Sequence, residues 1–301
     1  MTGGYVDLQV NGFAGVDFND DDLTATQFAA ACEAMAADGV VACCPTLITA
    51  PLDSLLARIE RVAFFSRDHS IVAGLHVEGP FVSGDPGYVG AHPRDAIRRA
   101  SVPVVDRILK AGGGAIRLVT LAPEQDAGAA VTAHLVRQGI VVAAGHTNAT
   151  LDELDAAIEA GLSLVTHLGN ACPPSLPRHD NIIQRCLSRR DRLTISLIAD
   201  GFHLPPFVLA NMLDLLGDRA IVVSDATAAA GLGPGRYRLG GQPVIVEDDL
   251  VPWSADRTHF VGSAMPMSAM TEVLAALGRT HTEIDDLVSN RPRRILGLSQ
   301  D

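Results

Sequence analysis

The feature that most constrains this chain is a rhythm. Eight short apolar, β-branched runs recur along it: Val6–Val10, Val40–Cys44, Ile71–Val77, Ala115–Leu121, Ile140–Ala144, Leu162–Thr166, Leu193–Ile198 and Ala220–Ser224. Ala/Leu-rich stretches of helical period separate them, near 23–37, 53–66, 102–111, 126–138, 151–160, 181–190 and 206–216, and one more follows the last run at 266–278. The runs are apolar at nearly every position rather than at alternate ones, as expected of strands buried on both faces of a parallel sheet. Eight β-α units predict an α/β fold, a single closed, TIM-like (β/α)8 barrel. The alternative, an open doubly wound sheet, lacks the glycine-rich fingerprint that would follow its first strand.

Local signals agree with this period. Thr150 followed by Glu153 spells a capping box, Pro205–Pro206 suits a first helical turn, and Gly39, Gly112, Gly139, Gly161 and Gly217 fall where helices should stop. A chain of 301 residues with 48% hydrophobic and 19% charged side chains can fill one such barrel. We expect a single barrel domain over residues 1–301. Two mouth segments interrupt it, at about 80–100 after the third strand and 226–262 after the eighth.

Composition removes several functions. A net charge of −12 argues against nucleic-acid or anionic-membrane partners. Lys110 is the only lysine, so Schiff-base chemistry or a lysine carbamate would have to use that residue. Five cysteines form an odd set without metal-type spacing, which predicts free thiols in a reducing compartment, the cytoplasm. The first ten residues lack a signal-peptide pattern, and the uncharged stretch Gly39–Leu52 is too short and broken to span a membrane.

The polar residues that could carry chemistry gather at predicted strand ends: Gln9 and Asn11, His76 and Glu78, His146, His167, Asp200 and His203, and Asp225. A barrel brings these ends to one mouth. Glu78, His146 and His167 make a metal set of one carboxylate and two imidazoles, suited to Zn²⁺ with a position left for water, or to Fe²⁺. His76 is either a further ligand or a core histidine supporting Glu78. Asp225 could serve as a helix cap, a ligand or a proton shuttle. His69, His134, His259 and His281 read as surface or core histidines, and Cys43–Cys44 as core. Cys172 falls near the mouth. Trp253 and Tyr237 either cover the substrate or pack as a loop cluster.

The segments LHVEGPFV, GHTNAT, THLGNA, IADGFH, VSDATAAAG and VGSAMPM occur in this order. Together they resemble the N-acetylglucosamine-6-phosphate deacetylases of the amidohydrolase superfamily, over about Tyr5 to Leu298. The resemblance implies a metal-dependent amidohydrolase barrel that hydrolyses the acetamide of N-acetylglucosamine 6-phosphate to acetate and glucosamine 6-phosphate. It implies one divalent metal per chain, on Glu78, His146 and His167. Asp225 would be the acid/base, His92 would polarise the acetyl carbonyl, and His203 would bind the sugar. Asn170 and Ala171 would hold the phosphate, with Arg178 donated across a homodimer interface. Gln9-Val10-Asn11 stands where many amidohydrolases carry His-x-His, which points to a single metal. Three departures are visible: a flanking β-sandwich is expected to be absent, Gly169 stands where an aromatic is common, and 173–180 differs from the usual phosphate-loop wording. An amidohydrolase for another N-acyl amino sugar or an N-acyl amino acid is the alternative. A silent binding barrel or a dinucleotide enzyme fits less well.

Overall fold

A computed structural model describes residues 3–299. Eight parallel strands follow one another in chain order: β1 (Tyr5–Val10), β2 (Val40–Ile48), β3 (Leu75–Glu78), β4 (Ile116–Leu121), β5 (Val141–Ala144), β6 (Leu164–Val165), β7 (Thr194–Ile198) and β8 (Ala220–Val223). This is the expected barrel. Its closure between β8 and β1 is made largely by side chains and one isolated bridge, Val10 to Ala226. The Asp7 carboxylate accepts the Ser224 amide at 3.1 Å, the Ser224 hydroxyl donates to the Gln9 carbonyl at 3.2 Å, and the Asn11 amide reaches the Ala226 carbonyl at 2.7 Å.

The helices begin and end where local chemistry dictates. Thr150 caps the helix Leu151–Glu159, and Glu153 returns the bond to the Thr150 amide at 2.8 Å. Gly39 ends the first helix, Ala25–Asp38, with φ 100°, a conformation that only glycine adopts without strain. Two strands are shorter than their apolar runs by more than one residue. Of the run 71–77, only Leu75–Val77 lies in the strand, although Val72 still bridges Cys43, and β6 keeps two residues of the run 162–166. Apolarity marks burial, and buried residues continue past the point where ladder pairing ends.

Residues 226–262 fold into a three-stranded antiparallel sheet, β9 (Gly235–Leu239), β10 (Gln242–Val246) and β11 (Pro252–Ser254). Leu239, Val244 and Val246 form a small core of their own with Ile48, Ala229, Val261 and Ala264. Gln242 ties the sheet to the 80–100 segment by donating to the Ala91 carbonyl at 2.5 Å. After Met267–Ala276 the chain makes two more short helices, His281–Asp285 and Arg291–Leu296, joined by a π-turn. The helical reading that stopped at 278 missed them. The π-turn packs against β1 and β8 and the helix Arg291–Leu296 against β1, and Arg291 donates to the Gly217 and Ala220 carbonyls at 2.8 and 3.0 Å. Among the described residues, no helix is long and apolar enough to cross a membrane.

Candidate active site

The barrel mouth holds a cavity of about 400 Å³. Of the residues singled out in the sequence, Asn11, Glu78, His92, His146, His167, Asn170, Ala171, His203 and Asp225 line it. His76 does not. It is fully buried below, where Nδ1 donates to the Leu8 carbonyl at 3.2 Å and Nε2 faces the Thr120 hydroxyl at 2.8 Å. Arg178 is exposed, lies outside the cavity lining, and makes no ion pair among the described residues.

Glu78 is the centre. The Nε2 atoms of His167 and His146 converge on its Oε1 at 3.0 and 3.3 Å, and the Gln9 amide donates to both carboxylate oxygens at 3.2 Å. Burial alone would raise the Glu78 carboxyl, but hydrogen bonds from the two imidazoles and their charges hold it well below the ordinary range. Burial likewise works to lower His167, yet the Glu78 carboxylate outweighs it and the ring is raised.

The second nitrogens decide what the rings can bind. His146 Nδ1 lies 2.9 Å from the Tyr88 carbonyl, which can only accept, so Nδ1 carries a proton and Nε2 is the nitrogen left to act as a ligand once it gives up the proton it shares with Glu78. His167 Nδ1 is buried without a partner. Two imidazole nitrogens converging on a buried carboxylate are the residue types and arrangement that fit a divalent metal. Glu78, His92 and His146 also offer donor atoms within 4.8 Å of one another.

His92 has a different hydrogen-bond pattern. Its Nδ1 sits 2.7 Å from the Thr49 hydroxyl and 3.4 Å from the Thr49 backbone N–H. An amide can only donate, so Nδ1 accepts and the ring proton is left on Nε2. Burial lowers the ring to about 3, which keeps it neutral. A neutral N–H donor beside the Glu78–His146 pair suits a carbonyl oxygen better than a metal. Thr49 carries no sequence signal for this role. Gly79 does: its φ is 87°, and a Cβ there would come within 2.1 Å of the Thr49 hydroxyl.

Asp225 faces the cluster, with Oδ1 held by the Asn11 amide at 2.7 Å. Burial, opposed by His167, raises it to about 6, a range suited to taking and returning a proton near neutrality. His203 is oriented by Asp200, whose carboxylate accepts its Nδ1 at 2.7 Å and also the Ser263 hydroxyl at 3.0 Å. Although burial would raise Asp200, the His203 ring and the backbone donors of residues 202 and 203 hold it at about 2.

Three cavity residues share a backbone conformation. His146, His167 and Asp225 have φ of 50°, 32° and 50°, in the left-handed region. Each position costs of the order of 1–3 kcal/mol, and such strain clusters at functional sites.

The far wall comes from the three-stranded sheet and its return. Trp253, Thr258, His259 and Phe260 line the cavity, with Trp253 and Phe260 packed edge-to-face at 4.6 Å and Phe260 against His203 at 5.2 Å. This corrects the reading of His259 as a surface or core histidine and settles Trp253 as a cavity residue. Tyr237 instead donates to the Gly233 carbonyl at 2.8 Å and borders a separate hollow. Cys172 lines the mouth, while Cys43 and Cys44 are core.

Comparison with known proteins decides the lineage. The chain is 33% identical to the N-acetylglucosamine-6-phosphate deacetylase of Bos taurus, over 99% of this chain and 74% of that protein. It belongs to the N-acetylglucosamine-6-phosphate deacetylase family. An N-acetylgalactosamine-6-phosphate deacetylase of Escherichia coli O157:H7 stands at 30% identity, over 98% of this chain and 77% of the other. Among solved structures, a mutant deacetylase of this family from Mycobacterium smegmatis, in complex with N-acetyl-D-glucosamine-6-phosphate, superposes with a TM-score of 0.90 at 32% identity, covering 98% of this chain and 77% of that one. A dihydroorotase, at 13% identity and a TM-score of 0.54, shares the fold. No family model matches the chain. The barrel and the deacetylase lineage are thus those that the six ordered motifs imply.

Proposed function

We propose that the chain hydrolyses the acetamide of N-acetylglucosamine 6-phosphate, giving acetate and glucosamine 6-phosphate. The observation that carries the proposal is the convergence of Glu78, His146 and His167 opposite Asp225 in one buried mouth cavity. In this reading Glu78, His146 and His167 hold one divalent ion, Zn²⁺ or Fe²⁺. Gln9 and Asn11 spend their amides on Glu78 and Asp225, which supports a single ion. Bound there, the metal supplies Lewis acidity that makes water a nucleophile near neutral pH.

The remaining work falls to this chain's side chains. Asp225 takes the proton from the attacking water and returns it to the departing nitrogen, so that the C–N bond breaks to acetate and a free amine. The His92 N–H donates to the acetyl oxygen as negative charge develops on it, a contribution of about 3 kcal/mol for a well-placed donor. His203, fixed by Asp200, binds the sugar.

Asn170 and Ala171 border the phosphate end, and Arg178 of a second copy completes it, which makes the working protein a homodimer. The five free thiols support the cytoplasm as its compartment. A second reading, deacylation of an unphosphorylated N-acetyl sugar, draws on the cavity lining, where the described residues include no arginine or lysine. One experiment separates the two: metal content of the purified protein, with acetate release from N-acetylglucosamine 6-phosphate and from N-acetylglucosamine in parallel. Metal-dependent release from the phosphorylated sugar alone supports the first reading, and equal release supports the second.

A further inference from the structure

We infer that Ile48 is a specificity-determining residue: with Leu239 and Ala91 it forms an apolar stop that limits the acyl group to acetyl. The inference deepens the proposed deacetylase function and rests on it.

Three ties place this corner beside the reacting groups. Ile48 is the last residue of β2 and the ladder partner of Glu78 on β3, and partners in parallel register send their side chains to the same face. The next residue, Thr49, holds His92 Nδ1 at 2.7 Å, and Ala91 directly precedes His92. Leu239 arrives from the three-stranded sheet and joins Ile48 and Ala91 in one apolar cluster. The turn that follows Leu239 is pinned. The Gly240 amide donates to Asp17 at 2.7 Å, and a Cβ at Gly240 would meet Ile48 Cδ1 at 3.6 Å. Gln242 ties Ala91 to the same sheet.

All three side chains line the cavity. Ile48 and Leu239 keep 4% and 3% of their surface exposed, against 3% for Glu78, so the corner lies at the depth of the metal ligand and not at the rim. The acyl carbon carries three substituents. In the proposed reaction its oxygen takes the His92 N–H, and its nitrogen faces Asp225 and leads to the sugar, which His203 binds. The alkyl chain is left with the remaining wall beside Glu78 and His92, which is Ile48, Ala91 and Leu239. The aromatic surface of the cavity, Trp253 and Phe260, packs with His203 and so belongs to the sugar side. Behind the corner the buried Val244, Val246 and Val261 close the cluster, so a longer chain finds no room without displacing packed core.

Acid release is measured from the N-acetyl, N-propionyl and N-butyryl forms of glucosamine 6-phosphate. One methylene in a fitted apolar pocket changes kcat/KM about 10- to 200-fold, so the wild type should lose at least about tenfold from acetyl to propionyl. Ile48→Ala trims the side chain to Cβ, and Ile48→Val, the gentler variant for folding, trims only Cδ1. Ile48→Val should narrow the acetyl-to-propionyl ratio about tenfold, and Ile48→Ala should admit butyryl as well. A second readout does not depend on turnover. Calorimetry of the metal-loaded protein with acetohydroxamate, propionohydroxamate and butyrohydroxamate should give the same order and the same shifts, since the ion anchors the hydroxamate and the alkyl chain takes the acyl place. Wild-type protein indifferent to chain length in both assays, or variants that weaken every length equally, overturns the inference. So does the absence of any hydroxamate binding. If no sugar releases acid but Ile48→Val still shifts the hydroxamate order, the deacetylase reading falls and the stop at Ile48 stands.

Discussion

The amide nitrogen of Gln9 stands 3.2 Å from each carboxylate oxygen of Glu78, so the first strand of the barrel holds the residue at the centre of the site from below. Groups that orient a metal ligand without touching the ion commonly control affinity by ten- to a hundredfold. Gln9→Leu should therefore fold normally and bind the divalent ion about ten- to a hundredfold more weakly. Chelator competition followed by metal analysis reads the change. Unaltered affinity would reduce Gln9 to a packing role.

Asp225→Asn keeps the shape of the side chain but cannot carry a proton. Metal content is expected to match the wild type while kcat falls at least about a hundredfold, the usual scale for general acid–base catalysis. Turnover close to normal would remove Asp225 from the reaction. Loss of the metal together with turnover would instead make it a ligand.

Arg178 tests the dimer and the phosphate together. A guanidinium offers two parallel hydrogen bonds to a phosphate, and Pro173, Pro174 and Pro177 stiffen the loop that carries it. Arg178→Ala should raise KM for the 6-phosphorylated sugar about tenfold or more and spare the unphosphorylated one, in a protein that sediments as a dimer. An equal effect on both sugars, or none, returns Arg178 to the surface.

Asp7, at the seam between β1 and β8, gives a pH signature in stability. Burial raises its carboxyl from 3.8 to about 7, so the folded chain holds a proton there that the unfolded chain has released. Stability from this group is complete below about pH 4 and is lost as pH climbs toward 7. Asp7→Asn removes the titration and keeps an oxygen to accept the Ser224 amide. Relative to wild type, the variant should gain about 2.6 kcal/mol between pH 5 and pH 8 in urea unfolding. A constant difference at the two pH values would show that Asp7 titrates normally.

What the sequence reveals follows how local each determinant is. The Thr150–Glu153 cap and the stop at Gly39 need only a few neighbouring residues, and both are present. The cluster of Glu78, His146, His167 and Asp225 is legible because barrel topology carries strand ends to one mouth whatever the loops do. Thr49 and His92 pair across 43 positions, and no period or spacing announces such a contact. His259 joins the cavity only because the three-stranded sheet folds back over the mouth and packs its own small core. Isolated histidines in an irregular stretch give no hint of that return. The final helices escaped because they are short, although Thr280 and Glu283 repeat the capping pattern seen at Thr150.

The left-handed backbone at His146, His167 and Asp225 sets the chain's chemistry against its own durability. Glycine relaxes that conformation at each of the three positions, so some inactive variants should survive heating better than the parent. A library selected for thermal survival alone would then drift toward dead proteins, and one selected for turnover would keep all three strained residues.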